Sequence, residues 1–369
     1  MKLFIISCGG YPSKDKPYNS GFVHTRVKKY VKCGHECMVF IPSYTEQFYY
    51  FYGGISVTGG NYKLMVESVS AFKPDRILIH FINNIAFKFL LQNNIPIIMW
   101  VHGYGAIGWW RYLFDFKFNK AFLMFVLVNT KNLFKFRALS KLKNLRYVFV
   151  SNYMRRVAIA DTGNIIREDR HAIIPNPIDE KLFNYKQKSP EDRRHILLIR
   201  PFNSLKYAPD IAIDTILELS KSKIFNKLNF TIYGEGEYFY LTDKLKGMKN
   251  ISINNRFIPP EEIAILHKRN GIFLCPSRMD AQGVSMCEAM MSGLVPITSR
   301  TTGIPEFVSN CVDGFLCKSA KEMALKIEQL YNNPAMFLSM SAQAHKNILD
   351  KCGSSKIIKK ELCYIEHGK

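Results

Sequence analysis

Asp280 and Glu288 stand with seven residues between them in the run D-A-Q-G-V-S-M-C-E, which continues A-M-M-S-G-L-V-P-I-T-S and reaches Gly303. A glycine loop that runs into a short helix leaves the first-turn amides bare, and bare amides at a helix start attract phosphate. A carboxylate beside that start can accept hydrogen bonds from the two hydroxyls of a ribose. Gly293 is placed to stop the helix, and residues 294–298 read as a buried strand. The expected chemistry is capture of a nucleotide sugar. Ser285 and Glu288 also have S-x-x-E spacing, so a capping box that needs no ligand is the competing reading.

Two cations stand where a departing diphosphate needs them. Arg200 follows the apolar run His195–Ile199, and Lys206 closes the loop after it. Both would sit at the carboxyl end of a strand, where ligands bind in open parallel sheets. Without a metal, such side chains and amides must carry the leaving-group charge. No metal and no cofactor is expected, the nucleotide sugar being a substrate. His102 ends the run 95–101 and is followed by Gly103-Tyr104-Gly105, which points it toward an acceptor or sugar. His24 and His80 have weaker claims. Gly21 opens a helix over 21–32 and would let a diphosphate approach its amide, with Gly9 and Gly10 shaping the loop before it.

These residues need a sheet to position them. Strand-length runs occur at 2–7, 37–41, 76–80, 95–101, 147–150 and 172–174, with helical stretches between. The pattern repeats at 195–199, 229–233, 251–254, 272–275 and 294–298. Alternation of this kind predicts an α/β fold of doubly wound parallel sheets. At 369 residues the chain is long enough for two domains. The expected division is an acceptor domain over 1–178, a linker over 179–194, a nucleotide-sugar domain over 195–343, and a basic helical tail over 344–369 that packs back on the first domain.

The motifs resemble, in order along the chain, those of family 4 of the retaining glycosyltransferases (glycosyl transferases group 1). Gly34-His35-Glu36-Cys37, Lys73-Pro74-Asp75 and Ile174-Pro175-Asn176-Pro177-Ile178-Asp179 are similar to segments of that family, and Asp280 and Glu288 match its paired carboxylates. Asp280 stands where the family usually has glutamate. Ile199 and Tyr207 replace the glycines that flank its arginine and lysine. The resemblance implies the GT-B fold, two Rossmann-like domains facing across a cleft. It assigns the diphosphate to Arg200 and Lys206, the ribose to Glu288, and the transferred sugar to Asp280 with the amides of Gly283, Val284 and Ser285. It further implies that Gly234 belongs to a G-x-G turn and that Phe257 and Ile258 pack around the base.

Composition narrows the setting. The chain is 47% hydrophobic and 22% charged, which excludes disorder, and its nine cysteines contain no Cys-x-x-Cys pair. The apolar start at residues 3–6 is too short for a signal segment, and the run 121–128 is too short to span a membrane. The net charge of +21 points to a polyanionic partner. Residues 108–150 hold nine Lys or Arg against Asp115 alone, interleaved with Trp109, Trp110, Phe116, Phe118 and further aromatics. That mixture fits an element lying on an anionic membrane rather than nucleic-acid readout, for which no recognition helix or arginine-studded aromatic face is present. The resulting expectation is a hexosyltransferase using a UDP- or GDP-sugar on a lipid-linked glycan for bacterial O antigen or capsule. It would be cytoplasmic, peripheral on the inner membrane face. The alternatives are a sugar-nucleotide 2-epimerase of the same fold, a nucleic-acid-binding protein, and an inactive partner subunit.

Overall fold

The computed structural model describes residues 1–16, 19–103, 105–117, 119–164 and 166–368. The chain divides into two units, Met1–Pro177 with Ser355–Lys369, and Ile178–Ser354.

In the first unit, largely apolar runs of three to seven residues form strands β1 (Lys2–Ser7), β2 (Glu36–Pro42), β5 (Arg76–His80), β6 (Ile97–Val101), β7 (Leu145–Phe149) and β8 (His171–Ile173). Strands β3 (Phe48–Tyr52) and β4 (Ile55–Gly60) form an antiparallel hairpin, and the sheet order is β3-β4-β2-β1-β5-β6-β7-β8. Order reverses between β1 and β5, which pair in parallel register from Leu3↔Arg76 to Ser7↔His80. Their carboxyl ends therefore open a crevice at Cys8 and Phe81.

The second unit carries β9 (His195–Ile199), β10 (Asn229–Gly234), β11 (Ile251–Asn255), β12 (Ile272–Cys275), β13 (Val295–Ser299) and β14 (Phe315–Cys317). All pair in parallel, in the order β11-β10-β9-β12-β13-β14. This is the doubly wound order with its switch between β9 and β12. Ile196, Leu198, Ile232 and Leu274 fill one face of the sheet. Leu197 and Phe273 meet Met286, Met290 and Met291 of the helix Val284–Met291 on the other.

Two sequence expectations are corrected, and three strands are added. Residues 179–194 are not a linker. Lys188 is buried with its Nζ donating to the carbonyls of His267 (2.6 Å) and Asn270 (2.7 Å), which ties the stretch into the second unit. The tail from 344 is not one element: the helix Pro334–Cys352 belongs to the second unit, and only Ser355 onward returns to the first. The strands β3, β4 and β14 were not expected.

The returning helix Ser354–His367 completes the first core through Ile357, Ile358, Leu362 and Ile365. At its centre Glu361 is fully buried. It accepts from Arg26 Nε (2.8 Å) and from the Tyr30 hydroxyl (2.6 Å), while Arg26 also donates to Asn176 (3.0 Å). Breaking a buried pair leaves a charge with no counterpart and costs about 3–5 kcal/mol. Glu361→Ala should therefore destabilise the first unit by about that amount. All three tryptophans, Trp100, Trp109 and Trp110, lie in this unit, so their fluorescence during denaturant unfolding reads it directly. An unshifted tryptophan transition would show that Arg26 finds another partner.

Candidate active site

The second unit gathers its candidate residues at the carboxyl ends of β9, β10 and β12. Arg200 leaves β9 and turns inward, 2% exposed. Its Nη2 donates to the Cys275 carbonyl (2.7 Å) and its Nη1 reaches Ser285 Oγ at 3.4 Å. Its Nε has no partner, and among the described residues no carboxylate pairs with it. A buried guanidinium placed against a helix start is an uncompensated cation in an anion-binding position.

Lys206 lies in a 3-10 turn, Leu205–Tyr207, capped by Ser204 Oγ accepting from its amide (3.1 Å). Its carbonyl accepts from the Arg278 amide (2.9 Å) and Ser277 Oγ (3.3 Å), which locks the turn to the segment after β12. The Arg278 guanidinium completes the lock with a two-pronged pair to Asp210 (2.7 and 2.6 Å) and a bond to the Leu205 carbonyl (2.9 Å). Burial works against the Asp210 carboxylate, but the bonds from Arg278 outweigh it and hold the group below its ordinary range. Sequence reasoning missed this pair. Its one signal was a buried-strand end, Cys275, followed closely by an arginine.

The glycine loop departs from expectation. Asp280 Oδ1 accepts from the amides of Gly283 (2.7 Å) and Gln282 (3.2 Å), so the Gly283 amide is spent inside the loop and does not face a ligand. Gly283 has φ 76, and a Cβ there would lie 2.8 Å from Ile304 Cδ1. The helix Val284–Met291 starts with Gly283 as its cap and has no side-chain capping bond. The Ser285–Glu288 capping box therefore does not form. The amides of Val284 and Ser285 are first-turn groups with no intrahelical acceptor.

Glu288, one turn after Ser285, is partly buried, and its carboxylate has no hydrogen-bond or ion-pair partner among the described residues. Burial alone pushes its carboxyl up to about 8.

Gly234 ends β10 where a Cβ would meet the Arg200 carbonyl at 2.1 Å and the Phe202 ring at 2.5 Å. Its role here is to let the Arg200 loop pass. Phe257 is exposed, but Ile258 is buried in the core, so only its backbone is placed to meet a base.

The first unit holds the other candidates. His102 is not a free imidazole: its Nε2 lies 3.0 Å from His80 Nδ1, and the rings stack at 5.3 Å. Phe22 packs 4.6 Å from the His102 ring. Burial holds both imidazoles well below their ordinary pKa, so one proton is shared between two neutral rings. The sequence held a signal for this pair, because both histidines close neighbouring strands. Gly21 opens the helix Gly21–Lys32, and a Cβ there would meet nothing within 4 Å. His24 is engaged by the Tyr11 hydroxyl at 2.8 Å, and burial lowers it to about 4. Tyr104 lies outside the described residues.

Residues 108–150 form the turn Trp109–Asp115, the helix Lys120–Leu139 and β7. Trp110, Leu113, Phe116, Leu123, Met124, Leu127 and Val128 are all exposed. Arg111 is not a free cation, since Asp161 takes it in a two-pronged pair at 2.7 and 2.8 Å. Phe118 lies outside the described residues. No helix among the described residues is long and apolar enough to cross a membrane.

Comparison with known proteins bears on both units. HepE of Anabaena, solved with UDP and glucose, superposes with a TM-score of 0.72 at 15% identity, over 99% of this chain and 99% of that one. The fold is thus GT-B, two Rossmann-like parallel-sheet domains. Residues 179–347, most of the second unit, match the family described as Glycosyl transferases group 1. A glycogen synthase of Thermodesulfovibrio yellowstonii is 31% identical over 193 residues, 47% of this chain and 38% of that protein. A poly(ribitol-phosphate) alpha-N-acetylglucosaminyltransferase of Staphylococcus aureus is 27% identical over 169 residues, 42% of this chain and 33% of that one. The chain thus spans well under half the length of these two relatives.

Glu288 yields a test with two opposed signs. Its carboxyl sits near 4.5 when unperturbed and about 8 in the fold, so between these values the folded chain holds the extra proton. The group's burden on stability is absent below about pH 4.5, grows as pH rises, and is complete above about 8. Glu288→Gln should remove that slope and make the protein more stable at pH 9, on the order of 1–2 kcal/mol after solvent screening. At pH 9, where the carboxylate is ionised, the same variant should bind UDP or GDP about tenfold more weakly, having lost a charged acceptor. Thermal melts and nucleotide titrations check both. A variant that is less stable yet binds as the parent does would make Glu288 a structural residue.

Proposed function

We propose that this chain is a retaining glycosyltransferase that moves a hexose from a UDP- or GDP-sugar to a lipid-linked glycan. The setting is the inner face of the bacterial cytoplasmic membrane, in surface polysaccharide assembly. One observation carries the reading. Arg200 lies buried and without a carboxylate at the switch point of the second sheet, bonded toward the start of the helix that also carries the unpartnered Glu288. A nucleoside diphosphate matches both needs, phosphate for Arg200 and ribose hydroxyls for Glu288.

In the reaction, the anomeric C–O bond of the donor breaks and its electron pair leaves with the diphosphate. The acceptor oxygen forms the new bond on the same face and gives its proton to an oxygen of the departing diphosphate. Charge accumulates on the diphosphate as the sugar takes on oxocarbenium character. Arg200, Lys206 and the first-turn amides of the helix Val284–Met291 are the groups that meet that charge. Oδ2 of Asp280, the oxygen not spent in its own loop, is the one left for a sugar hydroxyl. The match to Glycosyl transferases group 1 and the names of the two relatives, a glycogen synthase and an N-acetylglucosaminyltransferase, support transfer over epimerisation.

The exposed apolar residues of 108–150, among cations, support attachment to an anionic leaflet.

Activity should persist in EDTA, and Arg200→Ala or Lys206→Ala should lower kcat about 10²–10³-fold while leaving the fold intact. Loss of turnover in EDTA with recovery in Mn²⁺ would overturn this mechanism. So would release of an epimerised nucleotide sugar with no acceptor present. Cosedimentation should show binding to anionic vesicles that weakens with salt and drops in a Leu113→Ser, Phe116→Ser, Leu123→Ser variant. Equal retention of variant and parent would remove the membrane from the proposal.

A further inference from the structure

The helix Lys120–Leu139 changes chemistry along a single face. Met124, Leu127 and Val128 are exposed and fall three or four residues apart, and Lys131 and Lys135 continue the same row. Lys131 is exposed and Lys135 is half-buried. Among the described residues neither forms an ion pair, and Lys135 Nζ has only Asn132 Oδ1, at 3.1 Å.

The lower end of this row stands beside the His102 pocket. Asn132 is buried against Gly105, where a Cβ would come within 3.9 Å of the Asn132 Cβ and 3.8 Å of Ile82. Gly105, Ile82 and Phe136, the residue after Lys135, line the pocket together with His102 and Phe81. The Lys135 charge also reaches Cys8. That thiol is pushed up to about 12 by burial, against the opposing pull of the Asn83 backbone and of the Lys135 charge. The Cys8 amide in turn donates to the His80 carbonyl at 3.0 Å. Burial and then the neighbouring Lys131 charge hold the Lys135 ammonium below its ordinary range. Two cations one turn apart with no counter-charge repel each other, and an anion between them relieves the cost.

We propose that this row seats a phosphate-bearing lipid. Lys131 and Lys135 hold its phosphate at the edge of the His102 pocket, and Met124, Leu127 and Val128 take its hydrocarbon. The proposal rests on the lipid-linked acceptor reading and adds the residues that would recognise it. Val128 and Lys135 are seven residues apart, about 10 Å along the axis, so one amphiphile reaches both. A free anion would leave the apolar half of the row without a ligand, and a neutral lipid would leave the lysines unmatched.

The test uses the full chain and titrates farnesyl phosphate, farnesol and inorganic phosphate in one detergent, with UDP as a separate titration. Farnesyl phosphate should bind at least about tenfold more tightly than either farnesol or inorganic phosphate, a difference of one charge-assisted contact or more. Lys131→Gln with Lys135→Gln should remove that advantage, while the melting temperature and UDP affinity stay with the parent. Lys131→Arg with Lys135→Arg should restore it. Farnesol binding as tightly as farnesyl phosphate would overturn the proposal, as would an unaffected double Gln variant. Equal binding of inorganic phosphate would reduce the site to a free-anion site and also overturn it. Absence of UDP binding in the parent would instead sink the glycosyl-transfer reading and leave the lipid-phosphate result standing.

Discussion

A guanidinium withdrawn from water without a carboxylate is costly, and the donor half of this protein is organised around one. Arg200 is held in place by a single strong bond to the Cys275 carbonyl, from the neighbouring strand across the sheet's switch point. Everything near it either makes room for it or leaves it uncompensated. Gly234 is tolerated because any side chain would strike the Arg200 carbonyl. Asp280, a carboxylate of the same site, spends one oxygen on its own loop. The sheet supplies the position, and the missing anion supplies the reason for it.

Much of this was legible in residue order, and the remainder was hidden for identifiable reasons. Apolar runs bounded by polar residues gave β1, β5, β9 and β12 to within a residue, because strands buried on both faces need unbroken hydrophobicity. The hairpin β3–β4 escaped because Phe48–Tyr52 is aromatic at every position, which erases the alternation that marks a half-buried strand. The boundary after Pro177 was expected to within a residue, but the place of 179–194 in the second unit escaped because polarity was read as exposure. Lys188 shows the error, since its ammonium is inside and satisfied by two carbonyls. At the site, S-x-x-E spacing offered a capping box, whereas the competing signal was Asp280 three residues before Gly283, the spacing of a side-chain-closed turn. Pairings such as Arg278 with Asp210 depend on which segments become neighbours in the fold. No local window contains that information.

The two units solve the same problem with different materials. Each places its candidate groups where strand order reverses, and each surrounds them with glycine-bearing loops. The second unit leaves its polar groups unpaired, as Arg200 and Glu288 show. The first pairs its own, His80 with His102 and Tyr11 with His24, and leaves its unmatched charge on the helix outside. A site for a small, highly charged molecule and a site for a larger, mixed one would be expected to differ in this way.

The Arg26–Glu361 pair joins the start of the chain to its end, and that has a consequence for synthesis. When Pro177 leaves the ribosome, every strand of the first sheet has been made, yet Arg26 and Tyr30 still lack the carboxylate that satisfies them. At ordinary translation speeds the wait for Glu361 lasts on the order of ten to forty seconds. During that interval the second unit can finish folding while the first remains an open, partly packed intermediate exposing the seat of its last helix. The domain made first is the one completed last, so a chaperone that shields apolar surface would act on the older half of the nascent chain.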